Sequence, residues 1–266
     1  MAERKLAVIT GASSGIGAMF ARKLAARGYD LLLVARREER LRSLAVELAE
    51  TYHISSDVLA ADLAVDADRE RVAERIRSAK NLGLLVNNAG FGTLGFFFDT
   101  DLEGQMQMHR VHVLATMHLT HAALQNLVPR GEGGVINVSS VAGFGQTAGS
   151  VSYSATKGWM NDFTAGLYAE LEVQKSAVKV QALCPGFTLS EFHDTLGMDR
   201  SPIPRSLWMT ADFVVSESLR GFDNGKLFVI PGWRYKLLVM FMKTLPGWAL
   251  RKVSAGGARR YRKPKG

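Results

Sequence analysis

Short apolar, β-branched runs alternate with longer stretches of helical period along most of this chain, and that alternation leaves few architectures open. Residues 6–9, 30–35, 58–61, 84–87, 135–139, 179–183 and 227–230 read as strands. Helices fall between them. In the first, Ile16, Phe20 and Leu24 recur every four residues while Arg22, Lys23 and Arg27 face elsewhere, and Gly28 stands where a C-cap belongs. Strands joined through helices imply a parallel sheet of about seven strands covered on both faces, an α/β doubly wound domain.

The chain has 266 residues, 47% of them hydrophobic, enough for one sizeable core. Its single cysteine, Cys184, excludes an intramolecular disulfide framework and fits a reducing compartment. The opening residues run straight into the first strand without the apolar region of an export signal. The longest apolar stretch, 237–250, is interrupted by Lys243, Pro246 and Gly247, short of the roughly 20 residues that span a bilayer. A cytoplasmic protein is expected.

Net charge is +8, but it is unevenly placed. Ten Lys and Arg residues lie between Arg234 and Lys265 with no acidic residue among them, so everything before Arg234 sums to −2. The chain therefore divides into an α/β domain, 1–232, and a basic, partly amphipathic extension, 233–266, whose last residues, 256–266, are expected to be disordered.

Directly after the first strand comes Thr10-Gly11-Ala12-Ser13-Ser14-Gly15-Ile16-Gly17, opening the first helix. Glycines let a backbone turn tightly and approach a pyrophosphate, and a helix N-terminus supplies free N–H groups. Such a turn can also be only a turn, but a strand before it and a helix after it favour a dinucleotide. About 20 residues on, the second strand ends in Ala35-Arg36-Arg37, where an NAD-binding fold usually offers an acid. An arginine fork suits a 2′-phosphate, so NADP(H) is the expected cofactor. The competing reading is that these arginines only begin a solvated helix.

Tyr153 and Lys157 share a helix face at i, i+4. The spacing proves little by itself. Ser140, however, ends the strand at 135–139 and precedes the small-residue loop Val141-Ala142-Gly143, where open α/β sheets put functional groups.

Taken in order, the Gly11-to-Gly17 turn, Asp62, Asn87-Asn88-Ala89-Gly90, Ser140, Tyr153-x-x-x-Lys157 and Pro185-Gly186 resemble the motifs of the short-chain dehydrogenase/reductase family. The likeness covers about residues 5–232 and points to its ketoacyl-reductase-like branch. It implies a Rossmann-type fold. It also implies that Gly11, Ser13, Ser14, Gly15, Ile16 and Gly17 cradle the cofactor phosphates, and that Asp62 with Leu63 meets the adenine. Asn88, Ala89 and Gly90 should line the cofactor cleft, and Pro185, Gly186 and Thr188 should hold the nicotinamide carboxamide. Tyr153 would exchange a proton with the substrate oxygen, Ser140 would orient that oxygen, and Lys157 would bind the nicotinamide ribose and lower the tyrosine pKa.

One position departs from the family. The central helix there usually carries an asparagine that holds a relay water, and here that position is His112. Histidine can shuttle protons itself. It can equally do no more than satisfy the helix backbone.

The remaining histidines, His53, His109, His118, His121 and His193, show no ligand spacing with acids or cysteine, so no metal is expected. Phe96-Phe97-Phe98 fits a substrate cleft, core packing or a subunit contact. The region 189–209 is apolar and suggests a hydrophobic ketone, secondary alcohol or acyl chain. The expected function is NADP(H)-dependent hydride transfer on such a substrate by a homo-oligomer, dimer or tetramer, without nucleic acid. The alternative is a non-catalytic NADP(H)-binding sensor or scaffold. The basic extension adds a candidate contact with a membrane surface, against which stands packing of Leu237, Leu238, Phe241 and Met242 on the domain or a second subunit.

Overall fold

In the computed structural model, residues 4–192, 201 and 203–246 are described. Strand and helix alternate as β1 (Leu6–Thr10), α1 (Gly15–Ala26), β2 (Asp30–Ala35), α2 (Glu38–Tyr52), β3 (Ser56–Ala60), α3 (Asp66–Ser78) and β4 (Leu82–Asn87). A long helical stretch follows, α4 (Leu102–His109) and α5 (Thr116–Arg130), joined without a break by a π-helical turn, Arg110–Ala115. Then come β5 (Gly134–Val138), α6 (Val151–Val173), β6 (Lys179–Leu183), β7 (Thr188–Leu189), β8 (Met209–Thr210), α7 (Ala211–Asp223), β9 (Phe228–Val229) and α8 (Trp233–Thr244).

Seven strands form one parallel sheet in the order β3-β2-β1-β4-β5-β6-β9, and β7 with β8 makes a small separate ladder. The sheet is parallel because every connection between its strands passes through a helix, and its twist sends those helices to both faces. Ala7 and Ile9 point to the face covered by α1, α2 and α7, where Phe20, Leu24, Leu41 and Leu219 pack. Val8, between them, points to the opposite face with Val72, Ile76, Leu119 and Leu171 from α3, α5 and α6. Consecutive strand residues are thus all buried. Each fully buried Leu, Ile or Phe contributes roughly 1.5–3 kcal/mol.

One polar ladder crosses the second face. Asn87 and Asn137 are register partners on β4 and β5. Asn87 Nδ2 donates to Thr120 Oγ1 and to Asn137 Oδ1, both at 2.9 Å, and Asn137 Nδ2 donates to Thr164 Oγ1 at 2.9 Å. All four residues are buried and satisfied, so the ladder fixes how α5 and α6 sit on the sheet.

The strand boundaries expected from sequence shift by one or two residues at β1, β3, β4, β5 and β9, as strand ends usually do. The first helix ends at Ala26 with Arg27, not Gly28, as its C-cap, and Gly28 follows at φ +80°. The extension expected beyond residue 232 begins with a helix, α8, that buries Tyr235 and Val239 against the domain. His193, residues 194–200 of the apolar region 189–209 and the stretch 256–266 lie outside the described residues.

Candidate active site

Strand order reverses between β1 and β4, and ligands in such sheets bind at the carboxyl ends of the strands flanking that point. Thr10 and Asn88 join those two ends. Thr10 Oγ1 accepts from the Asn88 and Ala89 N–H groups at 2.9 and 3.0 Å, and Asn88 Nδ2 donates to the Thr10 and Gly11 carbonyls at 2.9 and 3.2 Å. Asn88 therefore clips the glycine-rich turn to β4 as well as lining the cleft. A Cβ on Gly17 would lie 2.2 Å from the Gly11 carbonyl oxygen, so only glycine lets α1 start this close to the strand. Ser14 caps α1 through no side-chain bond, which leaves the first-turn N–H groups for an anion.

Beside this cradle stand the two arginines. Arg37 donates to Ser13 Oγ and Ser14 Oγ at 3.0 Å each and pairs with Glu191 at 2.9 Å. Glu191 also pairs with Arg40 at 2.6 Å. Arg36 lines the same cleft, is exposed, and makes no ion pair among the described residues. Asp62 and Leu63 line the adjoining wall, where Asp62 Oδ1 accepts from the Ala64 N–H at 3.0 Å in a local turn.

At the other end of the cleft, α6 presents Tyr153 and Lys157 one turn apart towards the end of β5. Lys157 is buried, and its Nζ donates to the Val138 carbonyl at 2.8 Å. Ser140 opens the 3₁₀ turn Val141–Phe144, and its Oγ accepts from the Ala142 N–H at 3.1 Å. Pro185, Gly186 and Thr188 complete the floor.

Burial raises the Tyr153 phenol above its ordinary value, and the Ser140 hydrogen bond offsets only part of that. Lowering by Lys157, expected from sequence, is not seen in the protein alone. The ammonium sits 5.8 Å from the ring centre and spends a proton on Val138. Burial also pushes Lys157 itself down to about 8. Removal of both groups from water outweighs their mutual effect.

His112 lies behind the cleft rather than in its wall, fully buried in the π-helical turn. Its Nε2 accepts from the Phe91 N–H at 3.2 Å, so the ring proton is on Nδ1, which donates to Thr156 Oγ1 at 2.9 Å. Thr156 Oγ1 in turn donates to the Tyr153 carbonyl at 3.0 Å. Burial, then Lys157 and His109, hold the imidazole well below its ordinary pKa, so it is neutral. A Cβ on Gly90 would stand 2.7 Å from Nε2, so the ring needs glycine there.

The other histidines and the phenylalanine cluster separate into distinct roles. His118 meets Glu70 at 3.2 Å across α5 and α3, and His109 Nδ1 bonds the Gln105 carbonyl at 2.9 Å. Phe96 lines the cleft, whereas Phe97 and Phe98 are exposed.

Sequence reasoning placed no site residue in α8, yet Tyr235, Leu238 and Met242 line the cleft. Tyr235 Oη accepts from the Phe187 N–H at 3.0 Å and donates to the Leu207 carbonyl at 2.7 Å. A Cβ on Gly186 would fall 2.0 Å from the Tyr235 ring. The three- and four-residue spacing of Tyr235, Leu238/Val239 and Met242 was the available signal, hidden by the charges between them. Glu191, also unforeseen, is an ordinary surface acid in sequence and acquires meaning only from Arg37.

The cleft is open and holds about 2000 Å³, well beyond the roughly 300–1,000 Å³ of a typical small-ligand pocket. With a glycine-rich turn and a helix N-terminus at one end and Ser140, Tyr153 and Lys157 at the other, it has the form of a dinucleotide-dependent oxidoreductase's cleft. The family model for short chain dehydrogenases matches residues 5–201, and the chain belongs to the short-chain dehydrogenase/reductase family.

Its relatives agree. A very-long-chain 3-oxoacyl-CoA reductase of Anas platyrhynchos is 32% identical over 242 residues, 87% of this chain and 75% of the relative. A short-chain dehydrogenase from Sphingobium yanoikuyae in complex with NADPH superposes with a TM-score of 0.82 at 33% identity, covering 98% of both chains. The bulky-bulky ketone specific alcohol dehydrogenase from Comamonas testosteroni gives a TM-score of 0.77 at 30% identity, covering 98% of this chain and 96% of that one.

Proposed function

We propose that this protein is an NADP(H)-dependent reductase or dehydrogenase acting on a carbonyl or secondary alcohol within an apolar substrate, a bulky ketone or 3-oxoacyl compound. One observation carries the reading: the Ser13/Ser14/Arg36/Arg37 cluster and the Ser140/Tyr153/Lys157 cluster occupy opposite ends of one cleft. The residues fit NADP(H). Free N–H groups at the α1 N-terminus suit a pyrophosphate, and the arginine forks with two serine hydroxyls suit a 2′-phosphate. Asp62 and Leu63 would hold the adenine, Lys157 the ribose, and Pro185 to Thr188 the carboxamide.

The bound nicotinamide supplies or takes up the hydride. The chain's own residues manage the proton. Ser140 Oγ orients the substrate oxygen, and Tyr153 Oη delivers a proton to it in reduction or removes one in oxidation. Lys157, held by Val138, keeps a positive charge near the phenol as the phenolate forms. His112 is a positioning residue in this scheme, because both ring nitrogens are already engaged.

The substrate end supports the apolar assignment. Leu94, Phe96, Phe187, Phe192, Leu238 and Met242 wall it, and the Phe192 ring lies 5.8 Å from that of Tyr153. A non-catalytic NADP(H) binder would have no need for Ser140, Tyr153 and Lys157 to converge here. The test is Tyr153→Phe, which keeps the ring and removes the transferable proton. Reduction of a bulky aryl ketone by NADPH should fall by roughly 10²–10⁴-fold while NADPH binding survives. Near-normal turnover would overturn the assignment.

A further inference from the structure

Helix α8 is apolar on two sides. Tyr235 and Val239 are buried against the domain, and Met242 reaches the cleft wall. Facing away from them, Trp233, Leu237, Met240 and Phe241 are 63%, 49%, 60% and 59% exposed. Spacings of four, from Trp233 to Leu237 and from Leu237 to Phe241, and of three, from Leu237 to Met240, gather them into one stripe on the helix. Among the described residues nothing covers this stripe, and a contiguous apolar patch of large side chains in water marks a contact surface.

Charge identifies what covers it. The Arg234 guanidinium stacks on Trp233, its Cζ 4.9 Å from the ring centre, and Lys236 is exposed beside the stripe. From Arg234 onward the sequence carries ten basic residues and no acidic one. A two-fold contact between copies through this face would set Arg234 and Lys236 against their like-charged counterparts. A nucleic acid would neutralise them but leave Leu237 and Met240 in water. An anionic lipid surface takes both features, the cations at its headgroups and the apolar stripe at the acyl boundary.

We propose that the outward face of α8 docks on an anionic bilayer, with the helix lying in the plane of the interface. At 12 residues it is far too short to cross. Leu238, next to the stripe, is 45% exposed and also lines the cleft, so docking sets the cleft mouth close to the lipid. The contact itself does not depend on the reductase reading; only its consequence for entry of an apolar substrate does.

Co-sedimentation of the full chain, without cofactor or substrate, tests this on two kinds of vesicle: phosphatidylcholine alone, and phosphatidylcholine with a third of the lipid replaced by phosphatidylglycerol. The protein should pellet with the anionic vesicles, not the neutral ones, and less so as salt rises. Leu237→Asp combined with Phe241→Asp should weaken that binding by about tenfold or more, because two apolar side chains no longer enter the interface. Lys236→Glu, a milder surface change, should weaken it several-fold. No pelleting on anionic vesicles at low salt overturns the proposal, as does binding that ignores the double substitution. Sedimentation velocity and a labelled single-stranded oligonucleotide cover the rival occupants. A dimer that the double substitution splits, or oligonucleotide binding it abolishes, with no vesicle binding in either case, would assign the face to a second copy or to nucleic acid.

Discussion

His112 donates through Nδ1 to Thr156 Oγ1 over 2.9 Å, which ties the π-helical turn to the helix that carries Tyr153 and Lys157. Its other nitrogen holds the Phe91 N–H, next to the Asn88–Gly90 segment of the cleft wall. One neutral ring thus spans both halves of the site, and π turns often occur where a function demands such placement.

That arrangement separates two substitutions. His112→Asn keeps a donor and an acceptor and should retain turnover within about tenfold, whereas His112→Leu strands the Phe91 N–H and should cost roughly 1–3 kcal/mol of stability along with most activity. Denaturation midpoints and NADPH-linked turnover check both. A leucine variant with full stability and activity would remove the positioning role.

The same residue sets an acid dependence. Its folded pKa lies well below 6.5, with Lys157 and His109 as the nearby charges, so below about pH 6.5 the unfolded chain binds a proton that the folded one does not. Stability contributed by the neutral ring is present above that pH and is lost as pH falls, with a slope approaching about 1.4 kcal/mol per pH unit. Relative to wild type, His112→Asn should therefore lose less stability between pH 6.5 and pH 5. Parallel stability curves would contradict the buried neutral ring.

The proposed preference for NADP(H) rests on the other end of the cleft. Arg36→Asp should weaken NADPH binding by about ten- to a hundredfold and NADH binding far less, since only the former loses a charge-assisted phosphate contact. Equal losses, measured by titration of both cofactors, would count against Arg36 as a phosphate ligand.

Glu191 holds Arg37 and Arg40 where a 2′-phosphate would compete for them. Both arginines keep the Glu191 carboxyl below its ordinary range, so it is ionised at neutral pH and would repel such a phosphate. Glu191→Gln should tighten NADPH several-fold and leave NADH unchanged. Weaker NADPH binding in the variant would mean that Glu191 instead pre-arranges the guanidinium.

How much of this was legible in advance follows from how local each feature is. The turn at Gly11 to Gly17, the Arg36-Arg37 pair, Ser140 and Tyr153-x-x-x-Lys157 declare themselves by residue type at short spacing, because phosphate approach and a one-turn helical pair are local demands. Strand and helix alternation likewise determined a parallel sheet, since buried strands joined by helices admit little else. Even the departure at His112 was visible as an unexpected residue at the central-helix position where the family usually carries an asparagine.

Its role was not, because a histidine's function depends on what meets each nitrogen. Phe91 and Thr156 are 21 and 44 residues away in the chain, and only the packing of three segments decides that both nitrogens are engaged. Tyr235 meets the Pro185–Thr188 loop from 48 residues away for the same reason. The sequence by itself determined which residues are the candidates for cofactor binding and proton transfer and the sheet that would carry them. Tertiary structure alone decided which groups would close the cleft, which charge would lean on Arg37, and which side of α8 would face water, because burial and distance between remote segments are properties of the packed chain.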